Sequence, residues 1–440
     1  MKQTTPIRQL HGWGRYPRME SHISLPQSMI DCLQVINQQK QLISRGMGRS
    51  YGDSSLAANV LDTHYLNCFY DFDETTGVLS CESGISLAEI LDVFVPRGWF
   101  LPVTPGTRFI SLGGAIASDV HGKNHHIEGT FTDHVIQIEL LLGNGQCISA
   151  SPTHNHELFH ATCGGMGLTG IIFSATIRLK PIHSSQIIES IIKLPTLSAV
   201  LAAFDEHEQT PYSVAWIDCL ATGKNVGRSL LRLGEHAENG CLSVPTNKAL
   251  SIPLTMPACL LNKTTLKLFN TLYYQMARKA KYTHEIHYES FFYPLDKLAH
   301  WNRLYGKPGF IQYQFVLPKE AGKEGLSRIL DVIAESGKGS FLAVLKKLGK
   351  QNNNYLSFPM SGYTLALDFK VDPFIFPLLN TLDQLVLTFG GRHYLCKDSR
   401  LDERTFKASY AGWQAFENVR QNYYAVGKFA SQQSIRIGLK

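Results

Sequence analysis

The spacing of apolar positions along this chain changes near residue 185. Before it, short alternating runs such as "QKQLISRG", "VLDTHYL" and "TGVLSCESG" predict strands separated by glycine-rich turns. Ser86 followed three residues on by Glu89 reads as a capping box, in which hydroxyl and carboxylate satisfy each other's backbone donors. It predicts an amphipathic helix to about Val95. Asn144-Gly145 lies between two alternating apolar runs and predicts a tight hairpin. Beyond Lys180-Pro181 the units lengthen. "LSAVLAAFDEH" predicts a helix, and "YSVAWIDCL", "GFIQYQFVLP" and "YTLALDFKV" predict strands. In "GFIQYQFVLP", Ile311, Tyr313 and Phe315 share one face and Gln312 and Gln314 the other. Such a polar face either meets water or lines a ligand cavity, and the pattern leaves both open. After Gly391 the expectation is a strand "RHYLCKDS" and one amphipathic helix from about Asp402 to Tyr423.

Length and composition narrow the class. A chain of 440 residues exceeds one hydrophobic core and predicts two or three domains. Apolar residues make up 44% and charged ones 18%, as in ordinary globular enzymes. The net charge of +6 comes without any long Lys/Arg run, so nucleic-acid binding has no support. The nine cysteines form no CxxC pair and read as reduced, buried thiols of a cytosolic protein. The first residues lack the apolar core of a signal peptide, and no apolar run reaches the ~20 residues of a membrane span. A soluble, cytoplasmic protein is expected. Residues 249–281 stand apart, with aliphatics, prolines and a rising count of Lys and Arg. They read either as a helical excursion packed on the second domain or as a patch touching the inner membrane face or a lipidic substrate.

The candidate chemistry begins with "SRGMGRSYGDSS", Ser44 to Ser55. Its glycines are spaced GxGxxxG and no helix follows, so it is not a dinucleotide-fold turn. Gly122-Lys123 lacks the leading glycine and following hydroxyl of a Walker loop. A glycine loop between strands can still hold phosphate on consecutive backbone N–H groups, though it can also be a plain turn. "PGTRFISLGGAIASDVHGKNHH" and "CGGMGLTGIIFSATIRL" add two further stretches of small residues. Together the three elements point to one extended ligand touched by several loops. Asp119, His121, His125 and His126 sit on a loop without the helical spacing of a metal site, so no metal is expected.

"RGMGRSYGDSS", "PVTPGTRFISLGGAIASDVHGKNHH", "LFHATCGGMGLTGII", "GFIQYQFVLP" and "YLCKDSR" resemble, in order along the chain, the decaprenylphosphoryl-β-D-ribose 2-oxidases. These are flavoproteins of the vanillyl-alcohol oxidase type, with a PCMH-type FAD-binding fold. The resemblance implies an α+β chain: a two-part FAD-binding domain, residues 1–184 and 392–440, around a substrate-binding domain, residues 185–391, built on an antiparallel sheet with helices.

On the same resemblance, the FAD pyrophosphate lies on Ser44, Arg45, Gly46, Met47, Gly48, Arg49, Ser50, Tyr51, Gly52, Asp53 and Ser54. The flavin lies against Gly106, Ser111, Leu112, Gly113, Gly114, His121, Gly122, Lys123, Asn124, Ile172 and Tyr394. Arg49 stands where covalent relatives carry a histidine, which implies non-covalent FAD. The implied reaction is hydride transfer from a sugar C2–H to flavin N5, as the first half of an epimerisation. A separate NAD(P)H-dependent short-chain reductase would complete it.

Lys397 matches the family lysine near the flavin, either as base or as an ammonium holding the reduced flavin or a phosphate. Tyr51, His121, Lys123, Trp216, Gln312, Gln314 and Lys346 match the substrate pocket, and Lys346 is the expected phosphate holder. Ala366 replaces a cysteine of mycobacterial members; Val214, Thr364 and Phe292 are further departures. The rival readings are an aldonolactone- or polyol-type oxidase with a soluble substrate, and a flavin-binding protein without turnover.

Overall fold

The computed structural model describes residues 7–244, 250–257 and 261–439. Strands β1 (Ile7–His11), β2 (Arg18–Ser24), β3 (Ile43–Arg45) and β4 (Asn59–Asp62) form a small sheet ordered β1-β2-β4-β3. An antiparallel sheet follows, ordered β5-β6-β10-β8-β9. Its strands are β5 (Phe69–Asp73), β6 (Val78–Glu82), β8 (Val135–Leu141), β9 (Cys147–Ala150) and β10 (Ile171–Arg178). Between them β7 (Trp99–Phe100) pairs with β11 (Lys180–Pro181). The capping box at Ser86 and Glu89 is formed and opens the helix Leu87–Phe94. Gly145 takes φ 84° in the β8–β9 turn, a conformation that suits glycine.

The second part is one eight-stranded antiparallel sheet, ordered β16-β12-β14-β13-β19-β20-β18-β21. Its strands are β12 (Gln186–Leu194), β13 (Tyr212–Ile217), β14 (Ser229–His236), β16 (Lys281–His287), β18 (Phe310–Pro318), β19 (Ala343–Leu348), β20 (Gly362–Lys370) and β21 (Arg392–His393). A short parallel pair, β15 (Leu250–Ser251) and β17 (Leu298–Ala299), lies apart.

Helices cover one face of the large sheet. Leu326, Ile329, Leu330 and Ile333 of Lys319–Ser336 recur at helical spacing, as do Ile375, Leu379, Leu382 and Val386 of Ile375–Thr388. Both rows pack against Ile311, Tyr313, Phe315 and Leu317 of β18 in a single core. The two-residue period then turns Gln312 and Gln314 to the opposite face. That face meets the first part of the chain rather than water.

Three expectations change. "RHYLCKDS" is extended only at Arg392–His393; beyond it the chain coils, with Lys397 and Asp398 N–H groups bonded to the Tyr394 carbonyl at 2.9 and 3.1 Å. The single helix Asp402–Tyr423 is two, Glu403–Ser409 and Trp413–Asn422. The break falls where a Cβ on Gly412 would stand 2.6 Å from the Tyr355 carbonyl oxygen, so the backbones touch. Cys68 and Cys147 are exposed and Cys241 half-buried rather than buried, the first two because they sit at the starts of edge strands β5 and β9; Cys259 lies outside the described residues. Of residues 249–281, 249 and 258–260 also lie outside them, and the helix Lys263–Met276 is the excursion's main element. No helix among the described residues is long and apolar enough to cross a membrane.

The C-terminal tail ties the two ends of the chain. Arg436 donates to Asp53 at 2.6 Å and to Asp398 at 3.0 Å, and both acids are buried. Replacing Arg436 by Met leaves two buried carboxylates without their cation. A loss of about 3 kcal/mol in unfolding free energy is expected. Urea denaturation checks it, and an unchanged midpoint would show that the tail is held by packing alone.

Candidate active site

The sheet face turned from the helices is the floor of a cavity of about 550 Å³. Cross-strand register sets its composition. Gln312 lies opposite Asp368, and Gln314 opposite Ala366. Val344 also faces Ala366, and Lys346 faces Thr364. Trp216 pairs with Val344, and Val214 with Arg232. Directly opposed residues share a face, so these side chains rise together.

The roof comes from the first part. Ser44, Gly46, Met47, Gly48, Arg49, Ser50, Tyr51 and Ser54 line it, with Gly106, Ser111, Gly113, Gly114 and Ile172 beside them. Gly46 is bare because the Ser111 hydroxyl occupies the space of its side chain, and Ser111 also caps the Gly114 N–H at 3.2 Å. Gly48 has φ 61° and lies against the Arg45 guanidinium. At Gly106 a Cβ would enter open space. Bare backbone therefore faces the cavity along two adjoining turns, which fits an elongated ligand laid flat on the loops. Arg49 stacks over Trp13 at 4.1 Å and carries no nucleophilic nitrogen.

Electrostatics distinguish the deep end. Lys397 holds its Nζ 4.0 Å over the Tyr51 ring, and Tyr51 N–H bonds the Cys396 carbonyl at 3.0 Å. Burial pulls the Lys397 ammonium down, against the neighbouring Cys396 and Asp368. Burial raises Asp368 to about 7, although it accepts from Gln312 at 2.6 Å and feels Lys397. Lys346 falls to about 7 through burial and the charge of Lys397. It reaches the Gly122 carbonyl at 3.2 Å and the His121 ring at 3.5 Å. His121 is held neutral by burial first and Lys346 second. Lys123 is pushed well down by burial, then by Lys346 and Arg232.

Comparison with known proteins adds the family. Residues 25–151 match the family described as FAD binding domain. The chain is 35% identical to the decaprenylphosphoryl-β-D-ribose oxidase of Mycolicibacterium smegmatis, covering 99% of this chain and 98% of that one. The protein belongs to the decaprenylphosphoryl-β-D-ribose oxidase family. It is an FAD-dependent oxidoreductase. More distant similarity links it to an L-gulono-1,4-lactone dehydrogenase of Mycobacterium tuberculosis, 20% identical over 93% of this chain and 94% of that one. A D-arabinono-1,4-lactone oxidase of Candida glabrata is 22% identical over 39% of this chain and 34% of its own.

The structure gathers Tyr51, His121, Lys123, Trp216, Gln312, Gln314, Lys346, Tyr394 and Lys397 around one cavity. Six candidates do not line it. Arg45 turns away to the His11 carbonyl at 2.8 Å and Ser55 at 3.1 Å. Gly52 lies on the Asp398 backbone, and Asp53 is spent on Arg436. Leu112 points into the core and gives its N–H to Ile85. Gly122 offers its carbonyl to Lys346, and Asn124 donates to the Pro102 carbonyl at 2.7 Å. These residues hold the wall from behind.

The histidine loop also disperses. Asp119 accepts from Thr132 and Ser357 at 2.6 Å each, His125 accepts from Gly349 N–H, and His126 meets the Thr210 carbonyl. Asp368 and Arg232 are the residues that sequence reasoning missed. Asp368 was legible in "YTLALDF", where it alternates in step with Thr364 and Ala366.

Arg49 in the cavity wall offers no nucleophile to the cofactor, and acid precipitation of the purified protein is expected to leave FAD in the supernatant. A pellet that keeps its flavin colour would overturn non-covalent binding.

Proposed function

We propose that the protein oxidises the 2-hydroxyl of a pentose carried on a polyprenyl phosphate, giving the 2-keto sugar as the first half of an epimerisation. Residues 1–184 and 392–440 hold FAD, and residues 185–391 hold the substrate. The observation that carries this reading is the charge of the cavity. Arg49, Lys123, Arg232, Lys346 and Lys397 line it against only Asp296 and Asp368 among the described residues. Burying that excess is costly unless anions enter with the ligands. A dinucleotide and a phosphodiester supply them, whereas a neutral lactone or polyol does not. The activity named for the Mycolicibacterium relative points the same way.

Bound FAD supplies the acceptor for the hydride leaving C2. The chain's own residues handle the rest. Lys397, drawn toward the neutral amine by burial, takes the hydroxyl proton as the ketone forms. Gln312 and Asp368, joined at 2.6 Å, orient the sugar hydroxyls beside it. Ala366 in the cavity leaves no thiol at that position, so activity proceeds without one and thiol-directed inhibitors find no target there. The product, a 2-keto sugar, requires a reductase that delivers hydride to the opposite face, and a separate NAD(P)H-dependent short-chain reductase is the partner of that chemistry. Leu268, Leu272 and Met276 stand exposed on the helix Lys263–Met276, whose Phe269 and Tyr273 line the cavity. An apolar chain leaving there would pass over them toward a membrane surface.

Anaerobic mixing with polyprenyl-phosphoryl pentoses, free polyols and aldonolactones tests the reading. Bleaching of the flavin by the lipid-linked pentose is expected, and bleaching by a lactone or polyol alone would establish the soluble-substrate oxidase instead. Lys397→Met should slow bleaching at least about 100-fold with FAD still bound.

The pH dependence has a definite sign. Lys346 keeps its charge below about 7 and loses it above. A phosphodiester does not titrate there, so KM should rise as pH increases through 7. In Lys346→Met that rise should vanish.

A further inference from the structure

Arg232 enters the cavity from β14, opposite Val214. Its Nε donates to Glu189 of β12, a buried acid that also lies 3.3 Å from His284 of β16. The two terminal guanidinium nitrogens meet no protein acceptor among the described residues, so the fork is aimed and unfilled. Lys123 is its neighbour. The Arg232 guanidinium lies 5.8 Å from the Phe291 ring centroid and the Lys123 Nζ 5.3 Å from the same centroid. Lys123 spends one donor on the Phe292 carbonyl at 3.0 Å. Arg232 and Lys123 thus lie near one phenyl ring, with Glu189 as a nearby carboxylate.

Their position along the cavity has a direction. Lys346 feels the charge of Lys397 at the reacting end, and Lys123 feels both Lys346 and Arg232. Arg232 in turn acts on Tyr273. Tyr273 meets Trp216 edge-on at 4.8 Å and stacks with Phe269 at 5.9 Å, on the helix whose outer face is apolar. The order is reacting end, cation pair, aromatic throat, exposed aliphatic face. A guanidinium presents paired N–H donors that match two phosphoryl oxygens, and it strengthens where water is excluded.

We propose that Arg232 and Lys123 form the phosphoryl subsite, holding the phosphate of a lipid-linked ligand while its apolar chain leaves between Trp216, Tyr273 and Phe269. This rests on the polyprenyl-phosphate reading of the substrate and deepens it. Glu189 serves as the arm that aims the fork, and Lys346, beside His121 and felt by Lys123, adds its charge to the same phosphodiester from the sugar side.

The test uses the FAD-loaded protein and its tryptophan fluorescence, titrated with farnesyl phosphate, farnesol and inorganic phosphate. Farnesyl phosphate should bind more tightly than either of the others. Arg232→Gln should weaken it at least about tenfold and leave farnesol unchanged. Arg232→Lys, which keeps the charge beside Glu189 and loses the fork, should weaken it by a smaller factor and guards against misfolding of the first variant. Equal binding of farnesyl phosphate and farnesol would overturn the subsite, as would wild-type affinity in both variants. Inorganic phosphate binding as tightly as farnesyl phosphate would overturn the lipid-linked ligand. If lipid-linked pentoses fail to bleach the flavin while farnesyl phosphate still depends on Arg232, the oxidase reading falls and the subsite stands.

Discussion

Positive charge buried without enough negative charge is the constraint on which this structure turns. Lysine and arginine side chains rise into one cavity from strands of the large sheet and from the loops above it, and few carboxylates answer them. Burial depresses each lysine, joined at Lys346 and Lys123 by the charge of neighbouring cations, and a cavity so lined favours anions. The fold tolerates this because the opposite face of the sheet is largely apolar, packed under helices, and its few polar groups, such as Lys347 and Tyr313, have partners. One face supplies stability, and the other is free to be costly.

The two faces are joined by strict alternation along β18 and β20. A shift of one residue in register would send Gln312, Gln314 and Asp368 into the helix-packed core and Tyr313 and Phe315 into the cavity. The apolar burial on one side therefore fixes the placement of polar groups on the other. The tight Gln312–Asp368 contact and the position of Lys346 follow from core packing several ångströms away.

Much of this was legible in the chain. The capping box at Ser86, the Asn144-Gly145 turn and the alternation in "GFIQYQFVLP" depend on neighbours a few residues apart, and the structure carries all three. The glycine loop could be read as a ligand wall because glycines at fixed intervals leave backbone bare. What escaped depends on distant partners. Asp53 and Arg45 sit in the loop's motif but face away, since Arg436 and the His11 carbonyl claim them. Arg232 sits in an unremarkable strand, "SLLRLGEH", and only its pairing with Val214 turns it to the cavity. The break at Gly412 likewise answers to Tyr355, far off in sequence.

The clasp between Asp53 and Arg436 spans 383 positions of the chain. Leu42 also bridges to Phe429, and Gly52 rests on the backbone at Asp398, so the glycine loop, held on one side by His11–Gly14, is braced on the other by residues beyond 395. Contacts this distant form late, after loop-closure entropy has been overcome. On a ribosome the roof of the cavity is therefore unfinished until the segment around Arg436 has emerged. The wall that faces the cofactor thus waits on a segment nearly four hundred positions downstream.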